Sequence, residues 1–318
     1  MNASLKTGDY TYGLANSRQN GLRWSNEFAL DSQTQLLLGL DHSVEDFESD
    51  ARLSGYNTTK TDTGYFAGLG AKVQKWTWQA NVRHDRLSTR NRRDASMATD
   101  SVNSVLFGSS YQINPKWKIL ANASTGFRTP SVGERAATAS SLKKETFQSR
   151  EISTVYQADR SRAKLTYFES DMTDLIAYNS AFNLVNLNAE NAGIEASAET
   201  TFGTTSMAVR WTEQNPLNLE TGNALARRAK RLISLDIKQP VGQHQVGLTV
   251  GYQGKRRDSD FSNQVLDAYT LIGLSGTYKI NSQWRLVGRL DNALGTQYQL
   301  AHGYGALGRS GYLTLNYS

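Results

Sequence analysis

The stretch YFAGLGAKVQKWTWQANVRHD, residues 65–85, decides the fold. Tyr65, Ala67, Leu69, Ala71 and Val73 alternate with Phe66, Gly68, Gly70 and Lys72. After a tight turn at residues 74–76, Trp76, Trp78, Ala80 and Val82 alternate with Thr77, Gln79, Asn81, Arg83 and Asp85. Side chains on a strand point to opposite faces in turn, so each segment has one apolar face and one polar or very small face. Gly68 and Gly70 have no helix after them. They read as small residues inside a strand and not as a phosphate-binding loop.

The same period runs through the chain. HQVGLTVGYQ (244–253) sets Val246, Leu248, Val250 and Tyr252 against Gln245, Gly247, Thr249 and Gly251. Trp284, Leu286, Gly288 and Leu290 oppose Arg285, Arg289 and Asp291. Short turns are expected near 31–34, 74–76, 113–117, 158–162, 203–205, 240–244 and 280–284. Long polar segments, expected as loops, lie at about 43–62, 86–100, 128–146, 172–189, 213–229, 255–266 and 293–306. Alternation of tight turns with long loops is the pattern of an outer-membrane barrel. Fifteen strands from residue 20 onward and a weaker one near 5–15 predict an all-β, antiparallel transmembrane β-barrel of about 16 strands, with both ends on the periplasmic side. A soluble sandwich does not require strands of 10–12 residues or long loops only at alternate connections. Trp76, Trp117, Trp211, Trp284, Tyr278 and Tyr317 fall at strand ends, as interfacial girdles would. In the last strand Leu313, Leu315 and Tyr317 are expected to face lipid, with Thr314 and Asn316 facing the lumen. This strand is expected to pair with the first, because an open edge in hydrocarbon leaves backbone groups unsatisfied.

Composition agrees. The 318 residues include 26 Gly, only 4 Pro and no Cys, which excludes disulfides and cysteine metal sites. No run approaches the roughly 20 apolar residues of a spanning helix. The start, MNASLKTGDY, lacks the features of a signal peptide, so residues 1–318 are expected to form one barrel domain with no plug. The net charge of +6 is scattered, with groups at Arg90, Arg92 and Arg93, at Arg227, Arg228, Lys230 and Arg231, and at Lys255, Arg256 and Arg257. No nucleic-acid-binding motif accompanies them, which leaves solvated loop charge or contact with anionic headgroups or solutes.

Several motifs then point to a family. GRLDNALGTQYQLAHGYGALGRSGYLTLNYS (288–318) carries Asp291-Asn292, Gln297-Tyr298 and Gly308-Arg309 before a closing strand. YQGKRRD precedes AYTLIGLSGTYKINSQW. STGFRTPSVGE (124–134), the segment with Leu142, Lys143, Glu145 and Glu151, NAGIEASAE (191–199) and RRAKRLISLDI (227–237) follow the same order. Together they resemble the C-terminal barrel portion of TonB-dependent outer-membrane receptors, most closely those of the vitamin B12 (cobalamin) type. Lys144 stands where that family has Pro, and the final aromatic is absent while the strand's phase is kept. The resemblance implies the bacterial outer membrane, uptake of a large scarce nutrient such as cobalamin or a siderophore, and lipid or lipopolysaccharide around the barrel. TonB coupling would need a plug. Two alternatives are a passive, weakly anion-preferring pore and an inert barrel scaffold.

Candidate sites are few. His42, His84, His244 and His302 are far apart and suggest no triad, so no catalytic residue and no enzyme is expected. Glu45, Asp46, Glu48 and Asp50, read as loop carboxylates, are a weak calcium candidate, the only cofactor considered. Arg83, Lys118, Arg210, Arg285, Arg289 and Asp291 fall on the polar phase and are expected to line the lumen. Tyr56, Tyr178, Tyr298 and Tyr304 are loop aromatics that could stack on a flat ligand.

Overall fold

The structure is a computed structural model that describes residues 2–7, 10–49, 56–92, 95–136 and 142–317, with side chains described from Asn16 onward. In chain order the strands are β1 (Asn2–Thr7), β2 (Tyr10–Ala29), β3 (Thr34–Ser49), β4 (Asn57–Val73), β5 (Trp76–Asn91), β6 (Met97–Asn114) and β7 (Trp117–Arg128). After helix α1 (Val132–Ala136) come β8 (Glu145–Ala158), β9 (Ser161–Tyr178), β10 (Leu184–Phe202), β11 (Thr205–Asn218), β12 (Arg231–Val241) and β13 (His244–Gln253). The remainder are β14 (Arg256–Arg257), β15 (Val265–Leu266), β16 (Tyr269–Lys279), β17 (Trp284–Asp291), β18 (Gln299–Ala301), β19 (Tyr304–Gly305) and β20 (Ser310–Tyr317).

Sixteen of these form one antiparallel sheet in sequence order, β1 through β13, then β16, β17 and β20. The other four make two small hairpins, β14–β15 and β18–β19. β20 pairs with β17 along residues 284–291. Among the described residues no ladder joins β20 to β1, so the closing pair expected from the sequence is not among those formed.

All seven expected tight turns are present, and they are two to four residues long. Gly203 and Gly242 open two-residue turns with φ of 62° and 61°, a left-handed conformation that a side chain would strain. The opposite connections differ from expectation. Segments 43–62, 86–100, 172–189 and 213–229 were expected as loops, yet β3, β4, β5, β6, β9, β10 and β11 extend deep into them. These strand ends stand in water, where polar residues suit both faces, so alternation disappears while pairing continues.

The two faces follow from the registers. Val73, Ala71, Leu69, Ala67 and Tyr65 lie beside Trp76, Trp78, Ala80, Val82 and His84. These continue into Tyr111, Ser109, Phe107, Val105 and Asn103. Many of these apolar side chains are exposed, Val82 at 56% and Phe107 at 51%. Such a belt is untenable in water and natural in lipid. From Trp76 to His84 it rises about 26 Å along the strand, or roughly 20 Å once the strand is tilted, comparable with a barrel's apolar band. At its lower edge rings pair across strands: Trp76 with Tyr111 at 4.7 Å, Trp117 with Tyr156 at 5.0 Å and Trp284 with Tyr317 at 4.9 Å. Trp211 instead sits two residues before Glu213, at the upper edge.

Buried apolar residues are few and gather at the opposite, loop-bearing end. Leu142, Ile176 and Leu184 form one cluster, and Leu187, Ala189 and Leu225 another. Among the described residues, both buried apolar clusters lie at the mouth.

Candidate functional site

The face opposite the apolar belt carries charged side chains. The register places Gly64 between Asp41 and Asp85. Arg83 lies across that gap, with Nη1 2.6 Å from Asp41 Oδ2 and Nη2 2.6 Å from Asp85 Oδ1. Arg23 adds a bond from Nε to Asp41 Oδ1 at 2.5 Å. A Cβ on Gly64 would strike the Arg83 guanidinium. Phe66 covers the group, its ring centroid 5.6 Å from the Arg83 guanidinium carbon. Asp85 is 1% exposed. Asp62, on the same face in the next row, keeps one oxygen buried and without a hydrogen-bond partner among the described residues. Two arginines face three aspartates here, so this part of the wall offers no excess of positive charge.

The other expected lumen residues divide. Arg210 bonds Glu199 at 3.2 Å and lies 3.6 Å from Asp236, beside a recess of about 670 Å³ near the tight turns of β8–β11. Arg289 pairs with Asp291 at 3.2 Å and lies over the Tyr312 ring. Lys118 and Arg285 make no ion pair among the described residues. The positive charge on this face is thus matched locally at Arg83, Arg210 and Arg289.

The acidic run is not a loop cluster. Glu45, Asp46 and Glu48 lie within β3, so alternation sends Glu45 to one face and Asp46 and Glu48 to the other. Asp46 accepts from Thr59 Oγ1 and Arg92 Nη2, both at 2.7 Å. Asp50 lies outside the described residues. Among those described, no group of three or more His, Asp or Glu could hold a metal ion.

The mouth is built by loops that bind one another. The connection 254–268, containing β14 and β15, is central. Arg227 N donates to Arg257 O at 2.7 Å, and Arg257 Nη1 to Ala224 O at 3.2 Å, which ties it to the β11–β12 loop. Arg256 Nη2 donates to Gln299 O at 2.7 Å, and His302 N to Asp258 Oδ1 at 2.9 Å, which ties it to the β17–β20 loop. Arg256, Asp258, Ser259 and Leu266 are buried. Sequence reading took Lys255, Arg256 and Arg257 for solvated or headgroup-facing charge. The only signal against that was the Val265-Leu266 pair, which closes a hairpin over Arg256 and Arg257.

A second clamp joins residues 128–134 to Glu145. Ser131 Oγ accepts from Glu134 N at 3.2 Å while Glu134 Oε2 accepts from Ser131 N at 2.7 Å, a reciprocal cap on α1. Arg128, where the chain leaves β7, donates to Glu134 at 2.8 and 3.0 Å and to Glu145, where it enters β8, at 2.7 and 2.6 Å. The hydrogen bonds from Arg128 hold the Glu134 carboxyl below its ordinary range.

The four candidate tyrosines do not converge on one site. Tyr178 stacks on Phe182 at 4.8 Å, and Phe182 meets Phe261 edge-on at 4.8 Å. Tyr298 packs on Tyr269 at 4.5 Å. Tyr304 is 74% exposed on the β18–β19 hairpin. Tyr56 precedes β4, its carbonyl accepting from Ser49 N at 2.8 Å. Sequence reading missed Phe182 and Phe261, which join Tyr178 in an exposed trio drawn from two loops.

Comparisons with known proteins bear on what such a wall and mouth belong to. The family described as TonB dependent receptor-like, beta-barrel matches residues 1–293. The vitamin B12 transporter BtuB of Vibrio cholerae serotype O1 is 26% identical over 323 residues, covering 98% of this chain and 51% of the relative. Its counterpart in Photobacterium profundum is 24% identical over 306 residues, covering 92% and 49%. The chain spans about half the length of the curated relatives it matches. Among solved structures, the FrpB iron transporter of Neisseria meningitidis superposes with a TM-score of 0.81 at 18% identity, covering 96% of this chain and 55% of that one. The copper transporter OprC gives 0.83 at 15%, covering 96% and 56%. These structural likenesses speak for the fold.

Proposed function

The chain belongs to the TonB-dependent receptor-like β-barrel family and lies in the outer membrane, and on that premise we propose that it forms the wall and mouth of a receptor for uptake of a large, flat nutrient, a corrinoid or a metal chelate. The observation that carries this reading is the exposed trio Tyr178, Phe182 and Phe261. It stands on loops that other contacts already fix, so little ordering entropy remains to oppose a ligand. Aromatic faces held this way contribute stacking beyond their buried area. The name of the sequence relatives, vitamin B12 transporter, supports the class of cargo.

Equilibrium binding of cyanocobalamin to the full chain folded in detergent tests this, with a ferric catecholate chelate in parallel. Binding of one of the two, weakened about tenfold in Phe182→Ala/Phe261→Ala, is expected from the loss of two aromatic contacts. Binding of neither, or equal binding by the variant, overturns it. The passive pore is the lesser reading: Arg83, Arg210 and Arg289 are paired with neighbouring acids, and Lys118 and Arg285 are the candidate lumen residues left to attract anions.

A further inference from the structure

We propose that β2 and β20 offer their free edges, at lipid depth, to a partner polypeptide that completes the wall with an odd number of transmembrane β-strands. The registers set the depth of the first edge. Trp24, Leu40, Tyr65 and His84 form one row, and Asn26, Leu38, Ala67 and Val82 the next. Phe28, Leu36, Leu69 and Ala80 form the third. β2 therefore crosses the apolar band with residues 24–29. β1 covers β2 only at residues 10–16, eight residues short of Trp24. That gap is about 27 Å along the strand. Fifteen of the sixteen strands thus cross the band. Among the described residues nothing pairs with the outer edge of β2 at 22–29. At the other end of the sheet, β20 carries Leu313 and Leu315 in the band and pairs with β17 alone.

Three observations select the occupant. First, the backbone: every second residue of an edge strand turns its N–H and C=O away from the sheet, and hydrocarbon offers them no water. Another strand satisfies them along their whole length. Second, direction: β2 runs into the tight turn at 30–33, and β20 follows β17, which leaves the tight turn at 280–283. Both edges therefore descend from the mouth. An antiparallel neighbour must ascend at each edge, so the number of added strands is odd. A second copy of this chain in the same membrane orientation offers only descending edges. It would pair in parallel, as β2 would with β20, and parallel ladders are the less stable kind. Third, side chains: Leu313 is 73% and Leu315 56% exposed, whereas Leu286, across from Leu315 on β17, is half-buried. Asn26 puts an amide on the lipid side between Trp24 and Phe28, and Glu27 a carboxylate on the inner face. Both are exposed, and neither bonds another side chain among the described residues. The neighbour that fits this edge is an ascending strand with a polar residue outward beside Asn26 and a basic or hydroxyl residue inward beside Glu27.

The test uses the full chain, which has no native cysteine, folded in detergent as Asn26→Cys, Leu313→Cys or Val82→Cys. The probe is a synthetic peptide of residues 34–49 carrying Leu38→Cys, an ascending strand that already pairs antiparallel with β2 in the fold. Val82 lies in the Asn26 row, with paired strands on both sides. Docking at an edge concentrates the two thiols, so crosslinking at 26 and at 313 should exceed that at 82 by about tenfold. A peptide of scrambled sequence should show no such excess. Anything short of an excess at both edges, or the same excess with the scrambled peptide, overturns the proposal. An intrachain disulfide in Asn26→Cys/Leu313→Cys would show that the chain closes on itself. Disulfide-linked dimers of Leu313→Cys, formed faster than those of Val82→Cys, would show that a second copy takes the edge. Either result overturns the assignment of the partner. A heat-modifiable band for each variant shows that it is folded.

Discussion

Arg83 reaches Asp41 across Gly64, its Nη1 2.6 Å from Asp41 Oδ2. The two residues lie on strands that do not touch, with β4 between them. Gly64 is the place in β4 where the absence of a side chain lets the guanidinium lie flat against the wall. Gly64→Val should therefore displace Arg83 and strand the buried Asp85 carboxylate. Overpacking alone costs roughly 1–3 kcal/mol. The midpoint of denaturant unfolding in lipid vesicles should fall accordingly, whereas Gly70→Val, at a position with open space around it, should leave it within about 0.5 kcal/mol of the parent.

The Arg128–Glu134–Glu145 clamp should be sensitive to acid. The Glu134 carboxyl lies below its ordinary range when folded, so its contribution is fully present above the unfolded value of about 4.3 and disappears as pH falls through the lower folded value. Protection of the amides at 129–136 against hydrogen exchange, relative to the intrinsic rate, should fall as pH drops below about 4.3. In Glu134→Gln the loop should already be loose at pH 7, and Glu134 should no longer add to the change.

Asp258 joins two loops, accepting from His302 N at 2.9 Å and lying 3.4 Å from Arg227 Nε. Asp258→Ala removes both side-chain contacts, at a cost of about 0.5–1.5 kcal/mol for the hydrogen bond. Limited proteolysis of folded protein should then cut within 254–268 and 292–309, with the barrel band on a gel unchanged. Cuts no faster than in the parent would show that the hub does not hold the mouth.

Calcium should not stabilise the described part of the acidic run. Glu45 faces away from Asp46, and Asp46 is already paired with Arg92. The thermal midpoint should be the same in millimolar calcium and in excess chelator. A rise with calcium that Glu45→Gln abolishes would contradict the strand geometry.

These predictions draw on features of unequal legibility. The barrel was readable because the band imposes alternation wherever a strand crosses lipid: Trp76, Trp78, Ala80 and Val82 could be placed from sequence alone. Above the band both faces meet water and the pattern vanishes, so residues 43–49 and 86–91 looked like loop though they are strand. That error made Glu45 and Asp46 look like neighbours in one cluster. The mouth was hidden for a different reason. Arg256 is buried by Tyr269, Gln299 and its own hairpin, contacts that span up to 43 residues and leave no local trace. Phe182 and Phe261 likewise meet only in three dimensions.

The most direct test of the account is a nitroxide scan of β5, made simple by the absence of native cysteine. Single cysteines from 76 to 90, labelled and reconstituted in bilayers, would be read for collision with oxygen and with a water-soluble nickel chelate. Oxygen accessibility should peak at 78, 80 and 82 with a period of two, and nickel accessibility should rise on the same face from 86 onward. A flat profile, or oxygen peaks at 79, 81 and 83, would contradict a lipid-facing band carried by Trp78 and Val82.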